Sequence, residues 1–291
     1  MAQNSPATQP PTHLIILCCH AIFNPSLPHA DPYNADHWHL APFQKPAEHL
    51  TFCQHLLVSL FHLDLLNRAS PGSTALVISG GRTRRSEGLR GSEARGYWAV
   101  AERLGWLDGR GELVASTESG DGGDVKVVGG LGEKRGVKVM PMLEELATDS
   151  YQNLLFSILI FMRQFGNPPE AITVITHAFK EQRFLKYHGP AIQWPQGRLN
   201  VIGVNPPQTA SQHDFNQRGE LENGLSRWEQ DLYGSGDVLA SKRAQRGWDA
   251  EALKEVESLV DDPRVGGLLH WDGGRDGKEI YSEVLPWSED R

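Results

Sequence analysis

The sequence predicts an α/β protein with a Rossmann-like, doubly wound and mostly parallel sheet of about five strands, followed by a C-terminal helical appendage. Three observations predict this class. Short apolar, often β-branched runs alternate along the chain with longer segments in which apolar residues recur every three or four positions. Strands and helices in that order form a parallel sheet with helices on both faces. The length of 291 residues suffices for one substantial core.

The first half of the chain contains two repeats of strand followed by helix. Residues 13–19 form an apolar run of the length expected for a strand that is buried on both faces. From Glu48 onward the apolar spacing predicts an amphipathic helix. The run Thr74–Ser79 predicts the second strand, and the stretch after Gly91 predicts a helix through Leu104.

The second half continues the alternation. Residues 137–140 predict a short third strand, and a helix follows in which apolar residues of 151–165 share one face. Residues 171–176 predict a fourth strand, 179–187 a short helix and 199–204 a fifth strand. The α/β pattern therefore extends to about residue 205.

Composition divides the chain into three parts. Residues 1–12 are polar and proline-rich, which predicts a disordered tail. Residues 13–205 form the α/β domain, with a glycine-rich insertion at 108–136. Residues 206–291 form the C-terminal helical appendage and tail. Apolar residues there are spaced to dock one helix face: Leu221, Leu225, Trp228 and Leu232.

Charge and hydropathy exclude several classes of partner. The formal net charge of -8 disfavours nucleic acid and anionic membranes as general partners. No apolar run approaches the ~20 residues of a membrane helix, and the N-terminus has no hydrophobic signal core. We expect no membrane insertion and a cytoplasmic location. Cys18, Cys19 and Cys53 lack zinc-type spacing, and we expect them to be reduced and buried.

Ligands of open α/β sheets bind outside the carboxyl ends of the strands. Hydroxyl, imidazole, amide and carboxylate groups follow the predicted strands, so we expect a polar site there. His20 and His177 each follow a strand and are candidates for proton transfer. With 12 histidines in the chain, a surface or packing role is the alternative for each. Thr176 and Asn205 also end strands.

The glycine pair after the second strand has two interpretations. Ser79, Gly80 and Gly81 would let the backbone approach a ligand closely, or they form an ordinary tight turn. The segment has neither the G-x-G-x-x-G pattern nor a G-x-x-x-x-G-K-[ST] loop. A standard dinucleotide or ATP site is therefore not predicted.

The loop that follows is rich in arginine. Arg82, Arg84, Arg85 and Arg90 lie in this loop, Arg95 lies on the helix that follows, and the group stands out in a net acidic chain. The guanidinium group suits local recognition of phosphate or carboxylate, and solvated loop arginines are the alternative.

Two predicted helix starts carry polar candidates. Ser92 could cap its helix, while Glu93 could orient an arginine or a ligand hydroxyl. Residues 149–152 have the form of a capping box, which alone could explain them. Ser150 and Asn153 lie one turn apart, where hydroxyl and amide together suit a polar ligand.

Two kinds of site are not predicted. The histidines at positions 13, 20, 29, 37 and 39 form neither an H-E-x-x-H nor a C-x-x-C pattern, so no metal site is expected. No G-x-S-x-G elbow occurs, which argues against a standard α/β-hydrolase.

The order and spacing of these groups resemble a known family over residues 13–205. The chain resembles the soluble, fungal branch of the SanA/YdcF/ElyC-like family, domain of unknown function family 218. The resemblance implies a Rossmann-like fold, a polar pocket at the strand ends, and a nucleotide-like ligand such as S-adenosylmethionine. The matching residues are Ser79, Gly80, Gly81, Ser92, Glu93, Ala94, Glu144, Ser150, Asn153, Thr176 and Arg183.

The chain departs from that family at three places. His177 stands where the family usually has serine, and Lys180 stands where it has histidine, while Arg183 stays in register. Cys19 and His20 replace the usual glycine-rich end of the first strand. A lysine cannot replace imidazole as a proton shuttle near neutrality unless burial lowers its pKa.

We therefore expect a locally cationic pocket for a small anionic or nucleotide-like metabolite, in a transferase or hydrolase. Glu93, Glu144 and His177 are the candidate catalytic residues. The alternative is a non-catalytic binding or scaffold protein with a vestigial pocket and a protein partner at its C-terminal helices. The presence of Lys180 where the family has histidine favours this alternative. The candidate ligand-binding residues are Ser79, Gly80, Gly81, Ser92, Ser150, Asn153, Thr176, Lys180 and Arg183.

Overall fold

A computed structural model describes residues 9–42, 44, 47–108, 110–113, 140–206 and 219–288. Most of the predicted tail and most of the predicted glycine-rich insertion lie outside these residues. The described strands are β1 (His13–Cys18), β2 (Ile22–Phe23), β3 (Trp38–His39), β4 (Thr74–Ser79), β5 (Met142–Glu144), β6 (Ala171–Thr176) and β7 (Leu199–Gly203).

The central sheet has five strands, all parallel, in the order β5-β4-β1-β6-β7. The chain builds outward from β1 through β4 to β5, then returns to the other side of β1 for β6 and β7. The predicted α/β class and the strand number are confirmed. The strand order reverses between β1 and β6, which is where ligands of such sheets bind.

The register brings the carboxyl ends of the strands to one edge. Cys18 lies opposite Ser79, and Ser79 lies opposite Glu144. On the other side of β1, Thr176 lies opposite Gly203. Side chains in the loops that leave these strands therefore share one rim.

Helices cover both faces of the sheet, as expected for a doubly wound fold. Helices α1 (Glu48–Ala69) and α2 (Glu93–Arg103) pack on the face to which Ile15 and Leu17 point. Helix α3 (Ser150–Phe165) packs on the opposite face. Neighbouring strand residues alternate between the two cores because successive side chains of a strand point to opposite faces.

Two elements differ from their sequence predictions. The third strand is Met142–Glu144 rather than 137–140, of which only Met140 is described. The predicted helix at 179–187 is a 3-10 turn, Ala178–Lys180, followed by the π-helical segment Arg183–His188 and the short α4 (Gly189–Ala191). A π-helical turn is uncommon and frequently lies at a functional site.

The C-terminal helices share the core of the α/β domain. They are α5 (Ser226–Gln230), α6 (Asp237–Gln245), α7 (Ala250–Glu257) and α8 (Pro263–Leu269). Trp228 and Tyr233 are buried, and the Trp228 ring stacks on that of Tyr151 with centroids 6.2 Å apart. Arg243 Nε donates to Asp149 Oδ2 at 2.5 Å. The C-terminal region thus completes the core on the α3 side.

The segment after Trp271 is also attached to the core. Trp287 is buried, and its Nε1 donates to the carbonyl oxygen of Ile192 at 2.6 Å. Leu285 is fully buried. Within the described part of the chain, no helix combines the length and the hydrophobicity needed to cross a bilayer.

Candidate functional site

Two histidines lie at the point where the strand order reverses. His20 follows β1 after one intervening residue, and His177 is the first residue after β6. Their ring centroids are 4.5 Å apart, and Thr176 Oγ1 lies 3.4 Å from His20 Nε2. The sheet topology therefore places two imidazoles in the expected ligand crevice.

A third histidine joins them from helix α1. The ring centroid of His55 lies 5.4 Å from that of His20 and 4.9 Å from that of His177. Each of the three rings offers a nitrogen, and these nitrogens all lie within 4.8 Å of one another. We call these residues the histidine cluster. His55 and His177 are buried, whereas His20 is half-buried at its edge.

Burial keeps the three imidazoles neutral. It lowers the pKa of His55 to about 4 and the pKa values of His20 and His177 well below the ordinary value, with a smaller contribution from the Lys180 charge. His55 Nε2 donates to the Val204 carbonyl oxygen at 2.8 Å, which leaves Nδ1 with a free lone pair. Among the described residues, neither ring nitrogen of His177 has a hydrogen-bond partner.

Lys180 and Arg183 approach the cluster from the turn after β6. Lys180 Nζ lies 3.2 Å from His20 Nδ1, and burial lowers the pKa of Lys180 to about 8. Both the Nε and Nη2 groups of Arg183 donate to the carboxylate of Glu220, which lies in the C-terminal region. Arg183 is thus engaged by a counter-ion, whereas Lys180 forms no ion pair with any described carboxylate.

Glu93 lies on the β4 side of the cleft at the start of α2. Its Oε1 accepts a hydrogen bond from Thr83 Oγ1 at 2.7 Å. Burial raises the pKa of Glu93, and the Thr83 hydrogen bond and nearby Arg246, Lys180 and Arg84 oppose this shift. Glu93 is therefore a carboxyl group in a cationic setting, suited to proton transfer or to binding a hydroxyl.

The two glycines after β4 are required by packing within the protein. A Cβ atom on Gly80 would lie 2.6 Å from the Cβ of Cys19, and one on Gly81 would lie 2.6 Å from the Ala147 carbonyl oxygen. Neither glycine has a positive φ. At both glycines, the atoms that approach the backbone closely therefore belong to other segments of the protein.

The amino terminus of α2 has no free amide for an anion. The amide nitrogens of Glu93 and Ala94 donate to the carbonyl oxygens of Gly81 and Gly80, each at 3.0 Å. Ser92 Oγ caps the helix by accepting from the Arg95 amide at 3.0 Å, and it donates to Glu145 Oε1 at 2.8 Å. The structure therefore places Ser92 in a capping role.

Ser79, Glu144 and Asn153 form a buried polar network beneath the rim. Ser79 Oγ donates to Glu144 Oε2 at 2.6 Å, and Asn153 Nδ2 donates to Ser79 Oγ at 2.8 Å. Glu144 Oε1 accepts from the amides of Leu146 and Ala147 at 2.6 and 2.9 Å. Burial raises the pKa of Glu144 to about 7 although these donors oppose the shift. The network ties β4, β5 and α3 together.

Ser150 is directed away from that network. Its Oγ lies 2.8 Å from Nε2 of His188, and both residues are buried. The His188 ring in turn lies 4.4 Å from that of Trp228. The structure brings Asn153 to Ser79 but places Ser150 against the C-terminal core.

Most loop arginines are close to protein carboxylates. Guanidinium nitrogens lie within 4.0 Å of a carboxylate oxygen in the pairs Arg82–Glu255, Arg84–Glu87, Arg85–Asp249 and Arg95–Glu145. Arg90 is exposed. Four of these five arginines are thus paired with carboxylates, whereas Lys180 lies against the histidine cluster with Nζ 3.2 Å from His20 Nδ1.

The histidine cluster is the feature that sequence reasoning missed. Its members are far apart in the chain, so a search for short metal-binding patterns cannot find them. A usable signal was present, because His20 and His177 follow two strands that are neighbours in a doubly wound sheet. The contribution of His55 depends on how α1 packs over that edge.

A comparison with curated proteins identifies the family. The chain is 30% identical over 316 aligned residues to "Uncharacterized protein YOR238W" of Saccharomyces cerevisiae (strain ATCC 204508 / S288c). The chain belongs to the family of this yeast protein. The match to YOR238W covers 96% of this chain and 98% of the yeast protein, so it includes both the α/β domain and the C-terminal helices. No family model and no solved structure matches the chain.

Proposed function

We propose that the protein binds a small anionic or nucleotide-like metabolite in the cleft between the carboxyl ends of β1 and β6, in the manner of a transferase or hydrolase. One observation carries the proposal. Lys180 is a half-buried cation at the point of strand-order reversal, and no described carboxylate pairs with its ammonium group. Burying a charge without a counter-ion is unfavourable, and an anionic ligand relieves that cost.

The charges around the cleft support an anionic ligand. Lys180 and Arg246 both act on Glu93, whereas Arg84, which also acts on it, is paired with Glu87. Arg183 and Glu220 form an ion pair with no net charge. The local balance is positive although the chain as a whole is acidic.

The proposed roles follow from position. Lys180 and Thr176 bind the ligand, and Glu93 and His177 are the groups placed to transfer protons. Glu144 supports the rim from below, because its oxygens already accept hydrogen bonds from Ser79 and from two backbone amides.

Membership of the SanA/YdcF/ElyC-like family is part of this proposal. The Rossmann-like strand order agrees with the fold that this resemblance implies. S-adenosylmethionine and nucleotides are accordingly the first ligands to examine. The proposed location is the cytoplasm, which is supported by three free, buried cysteines.

A non-catalytic scaffold protein is the second candidate. Four large apolar side chains in the described part of the C-terminal region are exposed: Leu221 to 57%, Val284 to 55%, Val238 to 54% and Ile280 to 44%. Exposed apolar residues on this region favour a protein partner there.

A thermal-shift experiment on the full chain tests the anion site. Nucleotides, sugar phosphates and S-adenosylmethionine are added to the wild type, to Lys180→Met and to Lys186→Met, an exposed lysine on the adjacent π-helical segment. A ligand at 100 times its Kd stabilises the folded state by about 2.7 kcal/mol. We expect a shift in the wild type and in Lys186→Met, and a much smaller one in Lys180→Met.

The thermal-shift result for the wild type also tests the scaffold candidate. The absence of any ligand-induced shift in the wild type contradicts the anion proposal. Retention of a protein partner by the wild type, with its loss in Leu221→Asp or Val238→Asp, would then identify the scaffold function.

A further inference from the structure

The histidine cluster has the composition and the convergence of a metal site. Three imidazoles, from α1 and from the loops after β1 and β6, place a nitrogen each within 4.8 Å of one another. We propose that His20, His55 and His177 bind a divalent transition-metal ion of the zinc class, with a coordination position left open towards the cleft. Metal alone tests this inference, which therefore does not depend on the proposed anionic ligand.

Unpartnered nitrogens in the cluster support the proposal. Among the described residues, His55 Nδ1 and both ring nitrogens of His177 are buried without a hydrogen-bond partner. A polar atom that is removed from water and left unpaired is unfavourable. One ion at the common centre of the three rings would satisfy a nitrogen of His55 and of His177, and its bond to His20 would replace the contact of that ring with Lys180 or Thr176.

The hydrogen bond of His55 fixes the form of the ring that a metal needs. Its Nε2 donates to the Val204 carbonyl oxygen at 2.8 Å, so the proton is held on the side away from Nδ1. Histidines that bind metal almost always donate their second nitrogen to a carbonyl, a carboxylate or water in this way.

The ring nitrogens must move closer together to bind one ion. Zn–N bonds of about 2.0–2.1 Å in a tetrahedral site hold two nitrogens roughly 3.4 Å apart, which is shorter than the 4.8 Å that bounds the cluster. His177 has no hydrogen bond that fixes its ring, and His20 is half-buried. The His177 ring can therefore turn towards His55, whereas the His20 ring must give up a contact with Lys180 or Thr176 to do so.

The donor type selects the class of ion. Imidazole nitrogens suit zinc, copper, nickel and iron, whereas magnesium and calcium prefer oxygen ligands. Three histidines with a fourth position open to water or an anion match the ligand number of a reactive zinc site. Such an ion would give the cleft a Lewis acid beside Lys180.

Lys180 presents the rival explanation. The cluster could serve only to accept a hydrogen bond from its ammonium group, since Nζ lies 3.2 Å from His20 Nδ1. That contact engages one imidazole and leaves the nitrogens of His55 and His177 unpaired. The two explanations differ in their prediction for Lys180→Met. Removing the positive charge strengthens binding of a dication, whereas the rival predicts no metal site in either protein.

The test measures binding of Zn²⁺ and Co²⁺ to the full-length chain after dialysis against a chelator. Titration calorimetry gives the Zn²⁺ affinity, and the visible spectrum of bound Co²⁺ reports its coordination. The ligand variants are His20→Gln, His55→Gln and His177→Gln. Glutamine at position 55 can still donate to Val204, which protects the fold.

His49→Gln is the matched control. His49 is buried on the same helix, and its Nε2 also lies within hydrogen-bonding distance of a carbonyl oxygen, that of Tyr33 at 3.0 Å. It lies outside the histidine cluster. Circular dichroism of the metal-free proteins establishes which variants fold.

We expect one equivalent of Zn²⁺ per chain and a Co²⁺ spectrum of low coordination number. Each ligand variant is expected to weaken Zn²⁺ binding at least about tenfold. Loss of a residue that only hydrogen-bonds to a metal ligand typically costs about that much, and loss of the ligand itself should cost no less. His49→Gln is expected to bind as the wild type does, and Lys180→Met more tightly. A folded wild type that binds no metal at micromolar concentration overturns the proposal, as does binding that no ligand variant weakens. If a buried variant does not fold, His20→Gln at the half-buried edge and the wild type decide the question.

Discussion

Lys180 Nζ lies 3.2 Å from Nδ1 of His20, and this contact joins the turn after β6 to the loop after β1. The two strands are neighbours in the sheet, although β2, β3, β4, β5 and the helices α1, α2 and α3 all lie between them in the described part of the chain. Sheet topology thus brings a cation and an imidazole together at the one place where the strand order reverses. Both proposals concern this cleft.

Zn²⁺ is expected to stabilise the folded protein. An ion that binds the native histidine cluster stabilises the folded state by mass action, by about 2.7 kcal/mol at 100 times its Kd. The melting temperature rises as a result. Differential scanning fluorimetry should show a rise with Zn²⁺ that a chelator reverses. His49→Gln should keep this response and His177→Gln should lose it. An equal rise in both variants would indicate binding elsewhere.

Glu144→Gln is expected to change how stability depends on pH. Burial raises the pKa of Glu144 from 4.5 to about 7 in the folded state, so the folded protein holds this proton more tightly than the unfolded chain. The stabilisation that the protonated Glu144 side chain contributes is therefore complete below about pH 4.5. It is lost as the pH rises through 7, and the total loss of unfolding free energy is about 3 kcal/mol.

Urea denaturation between pH 4.5 and 8 measures this effect. The loss of unfolding free energy with rising pH should be smaller in Glu144→Gln than in the wild type. Glu251→Gln, at an exposed position of α7, should follow the wild type. Parallel curves for the wild type and Glu144→Gln would show that the carboxyl group is already ionised at low pH.

Gly80→Ala is expected to destabilise the protein by about 1–3 kcal/mol. The added methyl would lie 2.6 Å from the Cys19 Cβ and 2.8 Å from the Glu93 Cβ, so β1 or the start of α2 must shift. Gly266→Ala in α8 is the control, because nothing lies within 4 Å of its added methyl. There alanine should stabilise by about 0.5–1 kcal/mol. Thermal or urea unfolding gives both values, and equal effects would contradict the packing argument.

Arg243→Met is expected to cost about 3 kcal/mol or more. Arg243 and Asp149 have side chains that are each 12% exposed, so removing one partner leaves a buried charge at the start of α3. The control, Arg163→Met, breaks a solvent-exposed pair with Asp261 and should cost less than about 1 kcal/mol. A small loss in Arg243→Met, measured by urea denaturation, would show that this ion pair contributes little to stability.

Local patterns sufficed for most of the sheet. The boundaries of β4 and β6 could be predicted to the residue, because each is an apolar run with a hydroxyl residue at its end, followed by Gly80 or His177. The π-helical segment Arg183–His188 could not, since its spacing differs little from that of an α-helix. The sequence predicts the third strand of the sheet at 137–140, whereas β5 is Met142–Glu144. This strand is short and only Glu144 in it is buried, so no buried apolar run marks its position.

The site was harder to predict than the fold. Residues at strand ends could be identified as rim residues, and Thr176, His177 and Lys180 do lie beside His20 at the ends of β1 and β6. Whether a polar side chain faces a ligand or a protein partner depends on tertiary contacts. Ser92 caps α2 and Ser150 meets His188, a residue in the π-helical segment. His55 reaches the cleft only because α1 crosses the edge of the sheet, which no short pattern records.

The central claim is that ligands bind where the strand order reverses, between the ends of β1 and β6. A crystal structure of the full chain grown with Zn²⁺ and inorganic phosphate, with anomalous data at the zinc edge, tests it most directly. We predict an anomalous peak about 2.0–2.1 Å from nitrogens of His20, His55 and His177, with phosphate density beside Lys180. Ordered rings with an empty centre, and no phosphate in this cleft, would contradict the account.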